Sequence, residues 1–117
     1  MANENNNPII NKTLQFSLDI IEYCERLDKE GKYVVSKQLL RSATSIGANV
    51  HEAQNPSSRN DFIHKMKIAA KEIEETKYWL YLCEHSKNYP FDEKLKNQIL
   101  EISKIVYKIL STSINTK

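Results

Sequence analysis

The sequence predicts an all-α protein, an antiparallel up-down-up-down four-helix bundle. Three observations lead there. Apolar residues recur at helical spacings of three and four along almost the whole chain, and no segment alternates with the period of two that a half-buried strand would show. The 2 glycines and 3 prolines fall where the helical period breaks. Because the connections between the four periodic stretches are short, successive helices must return alongside one another.

The first helix follows an Asn run and Pro8, which suit a helix start. Its inner face reads Ile10, Leu14, Ile21 and Cys24 with Ser17 between, and Gly31 supplies the stop. A second helix, from about Tyr33 to Gln54, packs Val35, Leu39, Ala43, Ile46 and Val50 before Asn55 and Pro56 end it. The third opens at Ser58, with Asp61 three residues on resembling a capping box whose usual Glu or Gln is replaced. It continues through Phe62, Met66, Ala69, Ala70, Ile73 and Leu80 to about Ser86. After a loop around Asn88, Tyr89 and Pro90, the fourth helix repeats Leu95, Ile99, Ile102, Val106 and Ile109. The polar tails, residues 1–7 and about 112–117, are expected to be loose.

A chain of 117 residues is expected to form one domain, spanning 1–117, with one hydrophobic core. Its 40% hydrophobic and 27% charged residues are those of a globular protein, and no apolar run approaches the roughly 18 residues of a membrane span. The polar start, MANENNNP, has no basic segment followed by an apolar one, so no secretory signal is expected and the chain is assigned to the cytoplasm. Cys24 and Cys83 sit in helical patterns without metal-like neighbours and read as reduced apolar residues. The net charge of +2 is too mild to imply nucleic-acid binding alone. It is uneven, however: residues 59–117 carry 11 Lys plus Arg against 8 Asp plus Glu, and residues 1–58 carry 6 against 7.

Two helices are apolar on more sides than one bundle can bury. The first carries a second row, Phe16, Ile20, Tyr23 and Leu27, roughly opposite Leu14 and Ile21. On the third, Ile68, Trp79 and Leu82 lie within about 60° of one another and face away from Met66, Ile73 and Leu80. Scattered exposed apolar residues are the plainer explanation. The alternative adopted is a homo-oligomer joined through these two helices, with Phe16, Ile20, Tyr23, Leu27, Ile68, Glu72, Glu75, Trp79 and Leu82 at the contact. Contacts between unlike faces of successive copies would close into a ring.

The stretch Arg41 to Ala53 has small residues and a polar stripe where a core helix should have bulk. Arg41, Ser45 and Glu52 fall within about 40° of one another at about 100° per residue, and Asn49 lies nearby. Pairing inside the subunit or across an oligomer is the expected role: Arg41 reaches Glu72 or Glu75, and Asn49 reaches a helix end or a backbone carbonyl. Arg41 and Glu52 should not pair with each other, since 11 residues of helix separate them by about 16 Å. Catalytic motifs are absent: there is no Gly-x-Ser-x-Gly elbow, no Gly-rich phosphate loop and no Cys paired locally with His, and Ser45 has no evident base. Bundle di-iron sites need two Glu-x-x-His pairs, and Asp61-x-x-His64 is one loose match. No catalytic residue, metal ligand or cofactor is therefore assigned.

The segment QLLRSATSIGANVHEA, Gln38 to Ala53, closely resembles the signature of the bacterial four-helix-bundle family first known from proteins encoded within intervening sequences of large-subunit (23S) ribosomal RNA genes. The matching residues are Arg41, Ser45-Ile46 and Asn49-Val50-His51-Glu52; a second match is KEIEETKYWLYL, Lys71 to Leu82. Gly47 stands where the family often has Pro, Val50 where it has Ile, and Ala53 where Gly commonly follows the Glu. The resemblance implies a compact bundle assembled into ring-shaped homopentamers. A related branch, the accessory variability determinants of diversity-generating retroelements, forms basic pentameric barrels that bind a reverse transcriptase and nucleic acid.

Three functions follow as expectations. The first is a non-enzymatic oligomeric scaffold contacting RNA or a nucleoprotein partner through basic surface, with Lys94, Lys104 and Lys108 on the outer side of the fourth helix as candidates. The second is a protein-interaction module with no nucleic-acid role, and the third, remote, is a metal-dependent enzyme. No membrane partner is expected.

Overall fold

In the computed structural model, which describes residues 7–115, the chain forms α1 (Pro8–Lys29), α2 (Tyr33–Ala53), α3 (Arg59–His85) and α4 (Glu93–Asn115). Residues 1–6 and 116–117, most of the tails expected to be loose, lie outside the described residues. Residues 112–115 correct that expectation by continuing α4. Leu110 is buried and the Arg59 guanidinium donates to the Ser113 carbonyl at 2.5 Å, which ties the last turns of α4 to the start of α3.

The helix ends follow from single residues. Asn7 occupies the N-cap of α1, but its side-chain amide donates to Gln54 at 3.2 Å rather than capping. Gly31 takes φ 78° just past α1, with its N–H bonded to the Asp28 carbonyl at 3.0 Å and the Lys32 N–H to the Leu27 carbonyl at 2.9 Å. That pair of bonds satisfies two orphan carbonyls and requires the left-handed backbone that glycine adopts freely. A Cβ there would meet nothing within 4 Å, so Gly31→Ala costs only backbone strain. A loss of about 1 kcal/mol in urea denaturation is expected, and no loss at all would contradict this account of the turn. At the start of α3 the Ser58 hydroxyl accepts the Asp61 N–H at 3.0 Å, and the Asp61 carboxylate accepts the N–H of Ser57, also at 3.0 Å. Asp61 therefore closes a box-like cap one residue further back than a Glu would.

The helix backbones neighbour one another in the order α1–α2, α2–α3, α3–α4 and α4–α1, so the four surround a shared core. Cross-helix hydrogen bonds show each neighbouring pair to be antiparallel. Along the α1/α4 seam Lys12 meets Glu101, Asp19 meets Gln98, and Tyr23 donates to the Pro90 carbonyl at 2.6 Å. Between α2 and α3, Thr76 donates to the buried Ser42 hydroxyl at 2.9 Å and Lys65 meets Glu52. Between α3 and α4, Lys77 reaches Ser103 and Lys96 reaches Glu84. Ser36 donates to the Cys24 carbonyl where α1 meets α2.

The core is filled by Phe16, Ile20 and Leu27 from α1, Leu39, Ile46 and Val50 from α2, Met66 and Ile73 from α3, and Leu95, Ile99, Ile102 and Val106 from α4. This corrects the assignment of Phe16, Ile20, Tyr23 and Leu27 to a subunit contact, since all four are buried within the chain. It also corrects the inner face of α1, where Ile10 and Cys24 are buried but Leu14 and Ile21 are each 40% exposed. Of the two rows, the one with Phe16 and Tyr23 holds more apolar area, and burying the larger area is the more favourable choice. On α4, Leu110 is buried and Ile109 only packs against the core margin. Among the described residues no helix is long and apolar enough to cross a membrane.

Candidate functional site

Much of the polarity of the Arg41–Ala53 stretch is absorbed by its own helix. The Thr44 hydroxyl donates to the Leu40 carbonyl and that of Ser45 to the Arg41 carbonyl, each at 2.7 Å, and the Asn49 amide donates to the Ser45 carbonyl at 2.8 Å. Such back-bonding lets short polar side chains sit mid-helix. The charged members reach across to α3. Glu52 pairs with Lys65 at 2.9 Å, and the Arg41 guanidinium lies 3.4 Å from both oxygens of Glu72 while its other nitrogen bonds Glu75. The Trp79 indole N–H donates to the same Glu75 oxygen at 3.0 Å. That indole bond and the Arg41 guanidinium hold the Glu75 carboxyl below its ordinary range, and Glu75 in turn raises the Arg41 guanidinium.

Glu72 and Glu75 are therefore engaged inside the chain, and Trp79 packs half-buried against the core margin. Ile68 and Leu82 are half-buried as well. The uncovered apolar surface lies elsewhere. On α1, Leu14, Leu18 and Ile21 are 40%, 50% and 40% exposed, on the side next to α2. Beside them a groove of about 220 Å³ opens between α1 and α2, lined by Thr13, Leu14, Ser17, Gly47, Ala48 and His51. On the other side of the bundle Tyr81, Leu100 and Tyr107 are 59%, 45% and 43% exposed along α3 and α4. There a cleft of about 150 Å³ is lined by Leu80, Tyr81, Phe91, Ile99 and Leu100, with Lys77 and Lys96 at its rim. The i, i+4, i+7 spacing of Leu14, Leu18 and Ile21 was the signal for the first surface, but it reads equally well as a core row.

Lys104 and Lys108 are exposed on α4, whereas the Lys94 ammonium stands 3.5 Å from Asp19. Burial opposes ionisation of Asp19, yet hydrogen bonds from Gln98 and Gln15, together with Lys94, keep its carboxyl below the ordinary range. Both thiols are buried; burial pushes Cys24 up to about 11 and raises Cys83, so neither offers a thiolate at neutral pH. Among the described residues no three His, Cys, Asp or Glu come together as a group that could hold a metal ion.

Residues 5–108 match the family described as 23S rRNA-intervening sequence protein. The chain belongs to that family. The chain is similar to a crystal structure of a protein with unknown function from the S23 ribosomal protein family of Bacteroides thetaiotaomicron. The two are 42% identical, with a TM-score of 0.82 and coverage of 87% of this chain and 97% of that one. No curated protein matches the chain. In this member of the 23S rRNA-intervening sequence protein family, Arg41 and Glu52 of the segment that carries the resemblance hold α2 against α3, while Asn49 bonds within its own helix.

Proposed function

We propose that this chain is a non-enzymatic, cytoplasmic helical scaffold that assembles with copies of itself into a closed ring, pentameric by its family resemblance. In this reading the ring contacts RNA or a nucleoprotein partner through lysines and does not read base sequence. The observation that carries the proposal is the uncovered row Leu14, Leu18 and Ile21. Three large aliphatics aligned on one helix face, matched by an apolar surface across the bundle, are the kind of patch that marks an interaction site. Lys104 and Lys108 stand exposed on the outer side of α4, where they can meet phosphate, and Lys94 shares that side.

Light scattering at micromolar concentration tests the assembly. A mass near five times 13.6 kDa is expected for the wild type, and a smaller one for Leu18→Glu, which places a charge in an apolar contact. A wild-type mass of 13.6 kDa would sink the scaffold reading. Titration with single-stranded RNA tests the second half. Binding should weaken with added salt, with a slope of about 0.7 per lysine engaged; no retention at low salt leaves the alternative, a protein-interaction module without nucleic acid. The pairing of Lys94 with Asp19 and the net charge of +2 favour that alternative.

A further inference from the structure

We infer that a single strand of RNA lies along the solvent-facing line of α3, its phosphates on Lys67 and Lys71 and an unpaired base stacked on Tyr78. This rests on the RNA contact proposed above and names the form of the strand and the surface that takes it. At about 100° per residue, His64, Lys67, Lys71, Tyr78 and His85 fall within about 60° of one another, opposite the buried Met66, Ile73 and Leu80. All five are exposed. At about 1.5 Å per residue the line runs for about 31 Å from His64 to His85.

Charge separates this line from an ordinary solvated helix face. Exposed faces commonly carry both signs, laced by pairs three or four residues apart. No carboxylate of α3 falls on this one. Glu72 and Glu75 lie to the α2 side, where both meet Arg41, and Asp61 closes the N-terminal cap. Glu74 and Glu84 lie to the α4 side, where Glu74 meets Lys77 and Tyr107 and Glu84 meets Lys96. Lys67 and Lys71 form no ion pair among the described residues, so their ammonium groups are open to phosphate.

The aromatic half is Tyr78, which is 59% exposed and whose hydroxyl has no hydrogen-bond partner among the described residues. Its ring packs edge-on against Trp79, with 5.8 Å between centroids and 61° between planes. That contact steadies the ring without covering it. Every base has a π-face, so stacking on a tyrosine tolerates any sequence, but only an unpaired base offers that face. Two lysines followed by an exposed ring on one line therefore suit a single strand and not a duplex. The line lies outside both uncovered apolar surfaces, so assembly through those surfaces leaves it open.

Fluorescence anisotropy with a labelled single-stranded RNA of about 12 nucleotides, within the roughly 4–16 that single-strand modules occupy, tests the placement. Tyr78→Ala should weaken binding roughly 5- to 100-fold with the salt slope unchanged, and Tyr78→Phe, which keeps the ring, should bind as the wild type does. Lys67→Ala/Lys71→Ala should lower the slope by about 1.4, at about 0.7 for each phosphate contact. A duplex of the same sequence should compete at least tenfold less well. Bound RNA should also change the emission of Trp79, which touches Tyr78. All three substituted positions are exposed, so helix content should stay as in the wild type. Equal binding of duplex and single strand overturns the inference, as does wild-type affinity in Tyr78→Ala. A loss confined to Lys104→Ala/Lys108→Ala also overturns it, while leaving the RNA reading standing on α4. A wild type that retains no RNA at low salt overturns that reading and this inference together.

Discussion

Phe16→Ala should lower the unfolding free energy by about 3–5 kcal/mol, whereas Leu18→Ala, two positions on, should change it by about 0.5 kcal/mol or less. Phe16 is fully enclosed and its truncation leaves a cavity that the surrounding side chains of a close-packed core fill only partly. Leu18 is half exposed and loses little within one protomer. Urea denaturation separates the two, provided both variants and the wild type are compared at one low protein concentration, since the proposed assembly would add concentration-dependent stability. If the proposed assembly forms, Leu18→Ala should instead weaken it. Similar losses of folding stability at the two positions would contradict the inward orientation of the Phe16 row.

Arg41→Gln should cost about 1–2 kcal/mol at neutral pH, more than a surface ion pair is worth. The guanidinium serves two carboxylates at once, and its loss leaves Glu72 and Glu75 as neighbouring negative charges on one helix face. Solvent screening at the half-exposed Arg41 keeps the figure below that of a buried pair. The pH dependence has a definite sign. The Glu75 carboxyl is held below the ordinary carboxylate range, so its contribution is present above that range and is lost as pH falls through the lower folded-state value. In Arg41→Gln the same carboxyls repel each other, and protonation relieves them. The deficit relative to wild type should therefore shrink as the solution is acidified below about pH 4. A deficit that stays constant from pH 7 to pH 3 would mean that Arg41 contributes by packing its stem and not by charge. Trp79 is the chain's 1 tryptophan, and its indole bonds Glu75, so its emission follows the same titration locally.

Helix number and limits were legible because they rest on local chemistry. Gly31, Pro56, Ser58 and Pro90 all mark breaks in the helical period. The partnership of Arg41 with the Glu72 and Glu75 pair was legible too, since few groups answer a guanidinium on a helix that faces α3. What stayed hidden was the rotation of α1 about its own axis. Two apolar rows share its period, and periodicity gives their angular separation but not which one points inward. That choice depends on how much area α2 and α4 together cover, which is a property of the assembled bundle. The end of α4 was missed for a related reason: Ser111, Thr112 and Ser113 lack apolar spacing, but Arg59 holds the last turn from another helix. The buried hydroxyls of Thr13, Ser36, Ser42, Thr76 and Ser103 also give no sign of burial in the sequence. Thr13 and Ser42 satisfy themselves on carbonyls of their own helix, and the others find partners on neighbouring helices.

The seam between α1 and α4 has a meaning in time as well as in space. Every other helix pair is joined by a short connection, so each can close as a local hairpin at small entropic cost. Lys12 and Glu101 are 89 positions apart, and bringing them together closes a loop that takes in most of the chain. The seam also carries polar groups, among them Gln98, whose buried Oε1 has no hydrogen-bond partner among the described residues. The junction that completes the bundle is thus the one with the most chain to order. By that logic the bundle closes last along α1/α4, after the α2/α3 pair that carries Arg41 and its two carboxylates has formed.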